Sequence, residues 1–146
     1  MQTYFQKLFE HEHWANVQVT EAFLKATNPP IRAYEILSHM VAAQQTWISR
    51  INGVLPAVKV WETFDRDLLI SLFHINFHAI EQILANNDLE RAVSYQNSRG
   101  ETFTNTVNEI LTQLLLHASY HRGQIVLLLK GHLEILPTTD YIFYIR

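Results

Sequence analysis

The sequence has no cysteine. A disulfide framework and a thiolate metal site are both excluded, and any thiol chemistry must use a thiol brought from outside. Charge is also sparse, at 17% of residues, and the eleven Lys and Arg are scattered against fourteen Asp and Glu for a formal charge of −3. That pattern offers no basic stripe for nucleic acid. No segment approaches eighteen consecutive apolar residues, and the opening MQTYFQKLFEHEHWAN lacks the apolar stretch and small-residue cleavage site of a signal peptide. A cytoplasmic protein with no membrane partner is therefore expected. A serine nucleophile elbow, a phosphate loop, a carboxylate pair at diagnostic spacing and an internal repeat are all missing too.

What is present is a rich apolar fraction, 48% of 146 residues, which suits one domain over 1–146 with a well-filled core. From Thr3 to about Thr27, Phe5, Leu8, Phe9, Ala15, Val19, Ala22 and Phe23 recur at helical spacing, and Asn28, Pro29 and Pro30 end the run. A second helix is expected over Ala33 to Ile51, stopped by Asn52 and Gly53. Residues 54–64 contain Pro56 and no sustained period, so they read as a crossing loop. Asp65 can then cap a third helix that Asn86 and Asn87 close. Between Leu89 and Asn105 two β-branched and aromatic runs flank Ser98 to Gly100, which suggests a small hairpin. Thr106 and Glu109 have capping-box spacing, opening a fourth helix to Lys130 with Gly131 at its C′ position. The tail LPTTDYIFYIR reads as extended chain or a single turn folded back on the rest. The predicted fold is all-α: a four-helix bundle with a long crossover and a small extended excursion between helices 3 and 4.

The chemistry-bearing residues are histidines. His117 and His121 stand four apart in LLLHASYHRGQIVLLL, so both project from one helix face and can aim at one point. His39, between Ile36 and Ala43 on the apolar stripe of the second helix, is the best third ligand. A lone histidine on such a face is more often a satisfied core residue. Three interior imidazoles are harder to satisfy by hydrogen bonds, whereas one divalent ion satisfies all three while keeping them neutral. His74 and His78 on the third helix have the same spacing and are nearly as good on these grounds, since Phe73, Ile75, Phe77 and Ile80 make every side apolar. His11 and His13 diverge around their helix and, with His132, read as surface residues. Gln124 lies within reach of the pair as a hydrogen-bond donor, and Gly123 suits a close backbone approach. Trp14, Asn16, Gln44 and Trp47 are candidate pocket walls, with core packing as the competing reading. Glu12 is a general-base candidate whose support must come from geometry.

Four landmarks, HWAN at 13–16, LSHMVAAQQTWISRI at 37–51, LLLHASYHRGQI at 114–125 and the closing PTTDYIFYIR, resemble the DinB and YfiT-like superfamily over nearly the whole chain. The histidine pair running into Arg-Gly-Gln is the most specific of them. The resemblance implies a metal-binding four-helix bundle in which His39, His117 and His121 hold a divalent ion, and it leaves His74 and His78 a structural or outer role. It also implies a homodimer and a small-molecule substrate, with a low-molecular-weight thiol such as bacillithiol or mycothiol among the characterised relatives' co-substrates. The family is distinct from the translesion polymerases that share its name, and this chain shows no polymerase carboxylate pattern. Three nitrogen ligands leave one tetrahedral position open, the arrangement of catalytic zinc. Zinc is expected, with nickel as the alternative, in a metal-dependent transferase or hydrolase; a non-catalytic metal- or ligand-binding dimer linked to stress response is the rival. Specificity is expected to reside in 54–64 and 89–105.

Overall fold

A computed structural model describes residues 2–86 and 88–146. Asn87, expected to help close the third helix, lies outside the described residues. The elements are helix α1 (Gln2–Lys25), helix α2 (Ile31–Ile51), a 3₁₀ turn (Arg66–Leu68) running into helix α3 (Leu69–Asn86), strands β1 (Ala92–Gln96) and β2 (Thr102–Thr106), helix α4 (Val107–Leu128) and the single turn α5 (Tyr141–Tyr144). The four long helices form the expected bundle. Helices α1 and α2 stand on one diagonal, each packed chiefly on α3 and α4.

Local signals explain most boundaries. The capping box forms as read, with Thr106 N donating to Glu109 Oε2 at 2.8 Å and Glu109 N donating to Thr106 Oγ1 at 3.4 Å. Asn52 caps α2 and Gly53 follows at φ +70°. The strands pair antiparallel from Ala92 opposite Thr106 to Gln96 opposite Thr102, around a turn with Gly100 at φ +78°. Three expectations shift. The second helix starts at Ile31, because Pro30 already supplies an extended residue at its N-cap. Asp65 begins the third helical segment through its backbone, without a side-chain capping bond. The fourth helix ends at Leu128 rather than Lys130, where the chain tightens into a Lys130 N to Leu127 O bond before Gly131 turns at φ +86°.

The interior is split into two apolar halves. One gathers Phe5 and Phe9 with Ile51, Ile80, Ile83, Leu111 and Leu114. The other gathers Val19 and Phe23 with Leu37, Met40, Phe73, Ala118 and Ile125. Between them lies a buried polar layer to which all four helices contribute. Glu12 Oε1 accepts from Asn16 Nδ2 at 3.3 Å and from Gln44 Nε2 at 3.0 Å. Asn76 Nδ2 donates to Gln44 Oε1 at 3.0 Å, and Arg122 Nη1 donates to Asn16 Oδ1 at 2.9 Å. Each amide therefore satisfies a neighbour, as buried polar groups must.

The segment Arg66–Asn86 is long and apolar enough to cross a membrane by length and composition. Here it is a bundle helix, its inner face packed on α1 and α2 and its Asn76 held in the polar layer.

Gly123 does not serve a close backbone approach: a Cβ there would meet nothing within 4 Å, and the residue is exposed on α4. Its helical backbone makes Gly123→Ala an expected stabilisation of about 1 kcal/mol, read as a higher urea midpoint. An unchanged or lower midpoint would show that the position is constrained by something other than helix propensity.

Candidate metal centre

The fourth helix brings His117 and His121 to one edge of the bundle, and α2 brings His39 across from them. Their Nε2 atoms converge: His39 to His117 is 3.0 Å and His121 to His117 is 3.1 Å. Among the described residues these three are the one group of three or more His, Asp or Glu whose donor atoms all lie within 4.8 Å of one another. His39 and His121 are buried and His117 half-buried.

The outer nitrogens decide what the inner ones can do. His39 Nδ1 lies 2.7 Å from the Val60 carbonyl oxygen, and His121 Nδ1 lies 2.7 Å from Gln124 Oε1. Both partners are acceptors, so each Nδ1 carries the proton and each Nε2 presents a lone pair inward. A single His117 Nε2–H can satisfy one of those lone pairs and leaves the other facing nitrogen without a proton between. An ion satisfies all three. Two nitrogens each about 2.0–2.1 Å from a zinc ion stand roughly 2.9 Å apart at a right angle and about 3.4 Å apart at a tetrahedral one, so the observed spacings fit the donor set. The outer bonds are those that orient metal-ligating imidazoles in general.

Burial and mutual repulsion keep the imidazoles neutral, the form that ligates a metal. His117 falls to about 4, first through burial and then through the charges of His121 and His39. His39 and His121 are lowered as well, chiefly by burial, and Arg32 adds to both effects.

The crossing loop supplies more than a connection. Besides Val60 it contributes Trp61, whose ring stacks on His39 at 4.1 Å and 15°, under the Arg32 guanidinium 4.5 Å from its centroid. Tyr120 sits edge-on to His121 at 5.1 Å. Neither Trp61 nor Tyr120 was legible beforehand, because one lies in a segment without period and the other on the exposed side of its helix.

Several sequence expectations change place. Gln124 reaches the site, but as an acceptor that orients His121 rather than as a donor into the pocket. Trp14 packs against His11 and Tyr144, and Trp47 against Tyr95 and Arg50 beside the hairpin. Asn16 and Gln44 belong to the polar layer. Glu12 is there too, its Oε1 holding two hydrogen bonds. His11 is buried, not superficial, because the tail returns over it: its Nε2 lies 2.8 Å from Thr139 O, and Tyr141 and Tyr144 flank the ring. His13 and His132 are half-buried, the latter with Nδ1 3.0 Å from Thr27 O. His74 and His78 point outward, since Asn76 occupies the inner face between them. The hairpin docks on the C-terminal end of α2, where Arg50 Nη2 donates to Gln96 O at 3.1 Å.

Opposed titrations give the metal-free protein a defined pH profile. Burial raises Glu12 from 4.5 to about 7, partly offset by Arg122. Its proton favours the folded state, so its contribution is present below pH 4.5 and is lost as pH rises through 7. His117 and His13, both near 4 when folded, act in the opposite sense: the unfolded chain protonates first, and stability is lost as pH falls from 6.5 through 4. Urea midpoints in the presence of chelator should decline on both sides. Glu12→Gln should remove the fall between pH 4.5 and 7, so that midpoints rise more steeply from pH 4.5 to 6.5 and level off above; a profile of unchanged shape would show that Glu12 does not titrate there.

Comparison with known proteins places this geometry in context. The sequence profile of the DinB family matches residues 1–146. The chain is 25% identical to Protein DinB of Bacillus subtilis (strain 168), over 95% of this chain and 92% of that protein. No solved structure matches.

Proposed function

The chain belongs to the DinB family, and from that premise we propose that His39, His117 and His121 bind a divalent metal ion at the heart of a metal-dependent enzyme of the thiol S-transferase or hydrolase type. The observation that carries the reading is the inward convergence of three Nε2 atoms, two of them committed as lone-pair donors by bonds at Nδ1. Zinc is favoured and nickel is the alternative, because imidazole suits both.

When bound, the ion supplies Lewis acidity, which makes a thiol or water beside it a nucleophile at neutral pH. The chain's own residues set the stage. Val60 O and Gln124 Oε1 hold two imidazoles in the ligating tautomer. Trp61 covers one flank of His39 and limits access of bulk water. Arg32, paired with Glu35 at 3.0 Å, places positive charge near His39 and His121 and favours an anionic small molecule or thiolate. Glu12 Oε1 is held within the polar layer by Asn16 and Gln44.

The rival reading is a non-catalytic bundle in which the ion ties α2 to α4. Chelation separates the two. The metal-free protein, assayed with a small thiol and a chromogenic electrophile and with an activated ester, should lose turnover with its helical signal intact and regain it on adding zinc or nickel. Melting of the bundle on chelation, with no turnover above background in the loaded protein, would favour the structural role.

A further inference from the structure

The pair His74 and His78 takes no part in the central site, yet its surroundings repeat that site's logic. Four residues apart on α3, the two imidazoles share one outward stripe of the helix, the spacing that lets two side chains reach one point. Helix α1 delivers a third. The His13 ring lies 4.6 Å from His74 at 58° and stacks on Phe77 at 4.5 Å and 10°, which fixes its plane.

His78 Nδ1 lies 2.9 Å from Glu81 Oε2, one turn further along. A carboxylate on Nδ1 commits Nε2 as the free ligand atom, as outer partners do at metal sites generally. It is the counterpart of Val60 O on His39 and Gln124 Oε1 on His121. His13 lies within electrostatic range of His74, His78 and Glu81. Burial keeps His13 in the neutral form that ligates.

We propose that His13, His74 and His78 form a second divalent-metal site on the outer face of α1 and α3, with Glu81 as the outer carboxylate of His78. Its donors are less tightly drawn together than those of the central site, which among the described residues alone has all its ligand atoms within 4.8 Å. His74 and His78 are exposed, so their side chains have room to turn toward His13 when an ion arrives. The site therefore binds more weakly than the central one and takes ions that favour imidazole: zinc, nickel or copper. Because its ligands come from two helices, the ion staples α1 to α3 from outside.

The test is a titration of metal-free, tag-free protein with zinc chloride alone, read by equilibrium dialysis and elemental analysis. Wild type should take up a tight ion and then a weaker one. A His74→Ala/His78→Ala double variant should lose only the weaker step, and His117→Ala only the tighter, with helical circular dichroism unchanged in both. Glu81→Gln should weaken the second step by about 10–100-fold. A single step in wild type would overturn the second site. So would a weaker step that persists at unchanged affinity in the double variant, since the extra ion would then be adventitious. Because His117→Ala isolates the outer site, failure of either site is seen independently of the other.

Discussion

Replacing Asn16 by leucine is expected to cost about 2–4 kcal/mol of folding stability, the scale of losing hydrogen bonds to buried ionisable groups. Asn16 is only 1% exposed. Its Oδ1 is the acceptor for Arg122 Nη1, and its Nδ2 donates to Glu12 Oε1, so one amide links the buried cation of α4 to the buried carboxyl of α1. Leucine is close in volume and opens no large cavity. The cost therefore comes from leaving a guanidinium and a carboxyl without their intermediary, in a medium where unpaired charge is expensive. Since domains of this size are stable by only about 5–15 kcal/mol, the variant should sit near the edge of folding. Urea denaturation at low temperature measures the effect. A loss below about 1 kcal/mol would mean that Arg122 is satisfied in some other way, and that the layer between the two apolar halves is not a connected unit.

The second large effect is chemical. His117→Ala is expected to weaken metal binding by well over 100-fold and to abolish metal-dependent turnover together with it. His117 Nε2 is the atom that both other Nε2 atoms approach, so its removal leaves two ligands on opposite helices with nothing between them. Half-buried at the bundle's edge, it can be truncated without opening the core. Gln124→Ala should behave differently. The ligand stays but its orienting acceptor is gone, and a drop of about 10–100-fold in affinity follows from the loss of such an outer partner. Isothermal titration with zinc distinguishes the two variants. Equal, small losses in both would mean that the ion, if bound, is held elsewhere.

Much of this architecture is legible in the residues because it is local. The capping box at Thr106 and Glu109, the Asn52-Gly53 stop and the four-residue step from His117 to His121 are all encoded within a single turn or two. His39 was reachable because its neighbours Ile36 and Ala43 define a stripe. What escaped depends on contacts distant in sequence. Whether His74 and His78 face in or out is undecidable from a helix apolar on every side, and it is settled by Asn76, whose amide is drawn inward by Gln44 and Val41. Glu12, Asn16, Gln44, Asn76 and Arg122 look unremarkable one at a time, and only the packing of four helices makes them one layer. His11 is buried by a tail 128 residues away. Val60 and Trp61 reach His39 from a loop that carries no period at all.

The central claim is that three histidines hold a metal ion. The most direct test is the metal content of tag-free protein dialysed against metal-free buffer, measured by elemental mass spectrometry for wild type and for His39→Ala, His117→Ala and His121→Ala. The expected result is about one tightly held ion per chain in wild type, absent from each variant. No ion in wild type after reconstitution with zinc or nickel, or full retention in His117→Ala, would contradict it and return the three imidazoles to the role of core residues.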